Sequence, residues 1–116
     1  MNRIVEIRSY KLKAGSGAEF HELVADQSVP LLAAVHMDVV AYGQSLHDAD
    51  AYYLIRSYES IEHLVASQDA FYSSSAWRQG PREAIVSLIE ADTNIVVSLT
   101  VAALQVLRQP RSSALP

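Results

Sequence analysis

From Arg3 to Lys13 apolar and polar residues alternate. Ile4, Glu6, Arg8, Tyr10 and Leu12 fall on one side and Val5, Ile7, Ser9 and Lys11 on the other. A period of two with apolar character on both sides predicts a β-strand that needs cover on each face. The small residues Ala14 to Gly17 break it. Ser16, with Glu19 three residues on, has the form of a capping box, and Phe20, Leu23, Val24, Gln27 and Leu31 recur behind it at helical spacing. Pro30 lies late in this predicted helix, where a lost hydrogen bond and a steric clash predict a kink near Gln27 to Val29.

Asp38 to His47 reads as a second strand, and a third begins at Ala51 or Tyr52. The short polar turn between them, Asp48 to Asp50, makes the two antiparallel neighbours. Ser60 is the predicted N-cap of a second helix with Ile61, Leu64, Val65 and Gln68 facing inward. Ser75 is predicted to cap a short turn around Trp77, Gly80 to end it, and Pro81 to open a further helix running to Ile89. Thr93 to Leu107, rich in β-branched residues, reads as a long fourth strand. The order is that of an α+β, ferredoxin-like βαββαβ antiparallel sheet. Helices on one face would leave either Val5 and Ile7 or Ile4 and Leu12 bare, together with the last strand's alternating Val and Leu. The expected partner is therefore a second copy, packed as a homodimer through the uncovered sheet face. Residues 1–108 are expected to form the domain and residues 109–116 a flexible tail.

Composition narrows the field. Half of the 116 residues are hydrophobic and 19% charged, the mixture of an ordinary globular domain. A net charge of −4 and the lack of any Lys/Arg run leave no basic face for nucleic acid. The most apolar run, Ile95 to Leu107, is interrupted by Ser98, Thr100 and Gln105. It is short of the roughly 20 apolar residues that a membrane span needs, so no membrane role is expected. Met1 to Arg3 lead straight into the first strand with no apolar leader. There are no cysteines, hence no disulfide, thiolate nucleophile or Cys-based metal site, and a cytoplasmic location is the expectation.

Glu6, Arg8 and Tyr10 share one strand face, and Arg56 and Tyr58 share another on the third strand. Arg8 and Arg56 are candidate substrate-binding forks for an anion or carbonyl, with Tyr10 or Tyr58 adding a phenol and Tyr58 the candidate catalytic one. The alternative is a structural ion-pair network. His21 and His63 are the candidate acid–base histidines, each with surface residence as its alternative. No His-x-x-x-His pair is present, and no metal is expected. Trp77, with Arg78, Phe71 and Tyr72 nearby, is a candidate roof over a flat aromatic ligand, or else a plug for the core. Ser73 to Ser75 lack the setting of a nucleophile elbow, and Gly15 to Gly17 lack a phosphate loop's ending.

The stretch Val5 to Gly15 resembles the Glu-x-Arg-x-Tyr strand, ending in Lys-Pro-Gly, of the NIPSNAP family, with Ala14 standing where the family commonly has Pro. Leu54 to Ser60 resembles that family's strand-to-helix junction, and Trp77-Arg78 stands before the last helix as in the family. The similarity covers roughly residues 3–100 and lies within the dimeric α/β-barrel superfamily. It implies a homodimer in which two four-stranded sheets form a shared barrel with helices outside. The superfamily holds cofactor-independent quinol monooxygenases, haem-degrading enzymes, muconolactone isomerases and polyketide cyclases. The resemblance thus implies a cofactor-free protein with a pocket for a small aromatic or polyketide-like molecule. Two functions stay open: a monooxygenase-, cyclase- or isomerase-type enzyme, and a non-catalytic dimeric binding or scaffold protein. An open pocket lined by His21, Tyr42, Arg56, His63 and Trp77 would favour the first. The same space packed by Leu23, Leu64 and Phe71 would favour the second.

Overall fold

The computed structural model describes residues 1–109. Along the chain it forms β1 (Asn2–Leu12), α1 (Gly17–Leu23), a π-helical turn (Val24–Ser28), α2 (Val29–Ala34), β2 (Asp38–Gln44) and β3 (Ala51–Tyr58). There follow α3 (Ile61–Tyr72), α4 (Ser75–Arg78), α5 (Arg82–Val86), β4 (Ile89–Thr100) and α6 (Val101–Leu107). The four strands make one antiparallel sheet in the order β2-β3-β1-β4. This is the ferredoxin-like α+β arrangement.

The alternation of β1 sorts the interior into two cores. On the front face Leu12 joins Phe20, Leu32, Tyr52, Tyr58, Phe71, Trp77 and Ile85 under the helices. On the back face Val5 packs with Val40, Ala41 and Leu104. Register brings Glu6 opposite Arg56 and Tyr10 opposite Tyr52 across the β1–β3 ladder, so front-face residues of both strands stand side by side.

Pro30 lies at the opening of α2, and the bend expected before it takes the form of the π turn. One wider turn lets the helical run continue without the hydrogen bond that Pro cannot donate. Ser16 does not cap α1. Its hydroxyl donates to the Lys13 carbonyl at 2.6 Å, and Asp50 accepts instead from the N–H groups of Gly15 and Gly17, both at 2.9 Å. A Cβ on Gly17 would stand 1.8 Å from the Ala49 carbonyl oxygen, so only glycine admits the β2–β3 loop this close. Ser60 caps α3 as expected, accepting from His63 N–H at 3.0 Å. Leu64 and Gln68 turn inward, whereas Ile61 and Val65 lie on the exposed side. Ser74 rather than Ser75 caps α4. α5 stops at Val86, and Ile89 already belongs to β4.

The largest departure from expectation is at the end. The strand predicted to Leu107 stops at Thr100, whose hydroxyl accepts from Ala103 N–H at 3.0 Å and so caps α6. Ala102, Ala103, Leu104 and Gln105 are good helix formers, and the helix sets Leu104 onto Val5, Val40 and Ala41. One end of the back face is therefore covered by the chain itself, while Ile95 stays 60% exposed. Gln109 lies against the outer edge of β2, its N–H donating to the Val40 carbonyl and its side chain pairing with Tyr42 N–H and C=O. Of the expected tail, residues 110–116 lie outside the described residues. Among the described residues no helix is long and apolar enough to cross a membrane.

Candidate functional site

The front face of the sheet carries a buried polar network centred on Glu6. Arg56 Nε donates to Glu6 Oε1 at 2.9 Å, and its Nη2 stands 2.8 Å from the same oxygen, near enough for ion pairing but out of line for a hydrogen bond. Arg8 Nη2 and Gln68 Nε2 both donate to Glu6 Oε2 at 2.9 Å. Gln68 also donates to the Tyr58 hydroxyl at 3.1 Å, and Arg56 Nη1 to the Tyr72 hydroxyl at 2.8 Å. Burial opposes ionisation of Glu6, but Arg56, Gln68 and Arg8 outweigh it and hold the carboxyl below its ordinary range. It is an anion at neutral pH.

Beside this network a cavity of about 490 Å³ opens between the sheet and the helices. Its floor is Arg8, Tyr10, Tyr52 and Leu54 from β1 and β3. Phe20, Val24 and Ser28 wall one side from the α1 run, and Tyr72, Trp77 and Ile85 wall the other. Arg78, Arg82 and Asp92 also line it. The aromatic groups lean on one another: Phe20 meets Tyr52 edge-on at 4.9 Å between centroids, and Tyr72 meets Trp77 edge-on at 5.4 Å. Burial, with Tyr72 adding to it, pushes the Tyr10 phenol up to about 12, and burial likewise raises that of Tyr52. These hydroxyls are neutral donors at physiological pH.

The fold brings two of the seven sequence-selected residues, Arg8 and Trp77, to the cavity wall. The other five stand elsewhere. Arg56 is wholly buried behind Tyr72, committed to Glu6 and to the Tyr72 hydroxyl. Tyr58 is buried beside Gln68. His63 closes the turn into α3, its Nδ1 accepting from Glu59 N–H at 3.0 Å, with its ring edge-on to Tyr58. His21 lies one hydrogen bond from the cavity, its Nδ1 2.7 Å from the Tyr52 hydroxyl, and Tyr42 rests against its outer side at 6.1 Å between ring centroids. Phe71, Leu23 and Leu64 belong to the surrounding core and do not fill the space.

Tyr52 and Arg82 were not singled out from the sequence, yet both had a signal. Tyr52 continues the same-face series Tyr58, Arg56, Leu54 by one step of two, and Arg82 follows Arg78 by four residues across the Gly80-Pro81 break. Among the described residues no group of three His, Asp or Glu stands close enough to hold a metal ion.

Known structures share this architecture. A NIPSNAP family protein from Agrobacterium tumefaciens superposes with a TM-score of 0.77 at 19% identity, over 85% of this chain and 87% of its own. A NIPSNAP domain protein of unknown character from Burkholderia xenovorans gives 0.74 at 16%, over 84% of this chain and 95% of its own. A candidate antibiotic biosynthesis monooxygenase from Nitrosomonas europaea gives 0.66 at 13%, over 85% and 91%. At these identities the likeness is one of fold. No curated protein matches the chain. The NIPSNAP family model matches residues 5–103, from the first strand through the sheet and the front-face helices into α6, and the chain belongs to the NIPSNAP family.

Proposed function

We propose that this protein binds a small aromatic or polyketide-like molecule in the cavity between sheet and helices. The observation that supports this most is the cavity itself: about 490 Å³, open to solvent, walled by Phe20, Tyr52, Tyr72 and Trp77. That volume is within the roughly 300–1,000 Å³ of small-molecule sites, and aromatic walls favour a flat ligand. Its reaction type, in this reading, is cofactor-independent, of the monooxygenase, cyclase or isomerase kind. The pair Tyr52 and His21 supports it, because a phenol on the cavity wall is hydrogen-bonded to a histidine on its far side. Such a pair can pass a proton between ligand and solvent. The fold shared with the Nitrosomonas protein supports it by analogy alone. The alternative, a non-catalytic dimeric binding or scaffold protein, is favoured by Arg56, Tyr58 and His63. Their polar atoms are engaged within the fold and they do not line the cavity.

Trp77 is the only tryptophan and lines the cavity, so its fluorescence reports occupancy directly. Titration with naphthol, a hydroxynaphthoquinone and naphthoate is expected to change that emission saturably for at least one of them. Val24→Phe, which fills the cavity, is expected to weaken the response. A flat titration with all three overturns the reading. Oxygen consumption on a bound quinol without added cofactor would favour the enzyme, and binding without turnover the scaffold. The protein's expected partner is a second copy through the sheet face left open around Ile95, in the cytoplasm. Light scattering should give about twice 12.7 kDa; the mass of one chain overturns this.

A further inference from the structure

The polar network behind the cavity is not neutral. Two guanidinium groups, Arg8 and Arg56, share one carboxylate, Glu6, and the remaining members, Gln68, Tyr58 and Tyr72, carry no charge. A surplus positive charge in a largely buried network favours an answering anion. Arg56 is wholly buried and aimed at Glu6 and Tyr72, so it cannot present that charge to a ligand. Arg8 can. Only its Nη2 reaches Glu6, its buried Nε has no hydrogen-bond partner among the described residues, and its Nη1 is 3.8 Å from Asp92. Asp92 is half exposed and hydrated, a weak counter-charge. The Arg8 side chain keeps 17% of its surface open and lines the cavity. Arg78 and Arg82 add two more guanidinium groups to the wall, against Asp92 as the one lining acid.

Resting on the small-molecule reading and narrowing it, we infer that the cavity takes a flat monoanion, an aromatic or conjugated carboxylic acid. Arg8 receives the carboxylate, and the ring system packs among Phe20, Tyr72 and Trp77. A single charge follows from the one guanidinium of the network that faces the cavity, answered there only by the half-exposed Asp92. Arg78 is exposed, and Arg82 has Glu83 3.7 Å away, so both are solvated and serve to attract anions toward the opening. A carboxylate on Arg8 would complete the network as two cations facing two anions, in a site where charge-assisted hydrogen bonds are strong.

The test compares three probes of one shape on the full chain: naphthoate, its neutral amide naphthamide, and naphthyl phosphate. Trp77 fluorescence and calorimetry are the readouts. Naphthoate is expected to bind at least about ten-fold more tightly than naphthamide, the factor that one charge-assisted hydrogen bond supplies. Arg8→Gln is expected to weaken naphthoate far more than naphthamide and so erase that preference. Glu6 keeps Arg56 and Gln68 in this variant, so the fold has no charge left bare. Asp92→Asn, which removes the competing carboxylate, is expected to tighten naphthoate by about two- to three-fold. Naphthamide binding as tightly as naphthoate overturns the inference and leaves the small-molecule reading standing. Failure of every probe overturns both. Naphthyl phosphate binding more tightly than naphthoate overturns the single-charge assignment, and a preference for the acid that survives Arg8→Gln overturns the role of Arg8.

Discussion

Each face of the sheet carries a carboxylate gripped by two arginines, and the two clusters differ mainly in their access to water. On the front, Glu6 and Arg56 are 1% and 0% exposed, roofed by α3. On the back, Asp38 takes Arg108 Nη1 and Nη2 at 2.8 and 3.0 Å, accepts from Ser57 and has Arg3 at 4.0 Å, with Asp38 and Arg108 30% and 32% exposed. Both use guanidinium donors. Arg108 forks onto both oxygens of Asp38, where Arg56 donates only to Oε1 of Glu6, and Arg3 stands farther from its acid than Arg8 does. The front pair interacts in a medium of low effective dielectric, where neither ion has water to fall back on. The back pair is screened, and either partner can be rehydrated. The front cluster thus enforces register between β1 and β3, while the back cluster pins the end of α6 to an edge already held by Leu104.

Four measurements would sharpen or break this contrast. The largest effect is expected for Glu6→Gln, which leaves the buried Arg56 without a counter-ion and Arg8 with Asp92 alone. Chemical denaturation should show a loss of about 3–5 kcal/mol. A loss under about 1 kcal/mol would mean that water reaches the network. Next comes Leu104→Ala, expected to cost about 2–4 kcal/mol through lost burial and the cavity it leaves. An unchanged midpoint would show that α6 does not rest on Val5 and Val40 in solution.

Acid should discriminate between the clusters on a smaller scale. The carboxyls of both Glu6 and Asp38 are held below their ordinary values of 4.5 and 3.8, the first because Arg56, Gln68 and Arg8 outweigh burial, the second chiefly through its hydrogen bonds from Arg108. A depressed folded-state value means that the unfolded chain takes up the proton first. The stability each group adds is complete above its ordinary value and is lost as pH falls through the folded one. Denaturation midpoints should therefore hold from pH 7 to about 5 and decline below 4.5, with Glu6→Gln flattening more of the decline than Asp38→Asn. The smallest effect is Asp38→Asn at neutral pH, about 1 kcal/mol or less, and less again in 1 M salt, where screening lengths shrink to roughly 3 Å. A cost matching that of Glu6→Gln would erase the distinction between the faces.

Much of the fold was legible before any coordinates. The alternation in β1 sorted Glu6, Arg8 and Tyr10 from Val5 and Ile7, and those are the front and back faces. Ser60 and Pro30 each mark a local event where expected, because capping and proline geometry depend on a few neighbouring residues. Two local signals misled. Ser16 had the spacing of a cap, yet Asp50, thirty-odd residues away, takes the N–H groups of Gly15 and Gly17. The β-branched run ending the domain looked like strand throughout, yet past Thr100 a helix buries Leu104 better than an extended chain would.

The candidate site divides along the same line. Periodicity identifies which residues share a face, and it selected Arg8, Arg56 and Tyr58 alike. It does not say how far along that face the covering helices reach. Gln68 and Tyr72 of α3 close over Arg56 and Tyr58, while the gap between the α1 run and α4–α5 sets Arg8, Tyr10 and Tyr52 on the cavity wall. The faces of β1 and the cap at Ser60 were written locally, since each is decided within a few residues of backbone. Which arginine borders the cavity and which is sealed behind a tyrosine was decided only by tertiary packing, because solvent access depends on segments distant in sequence.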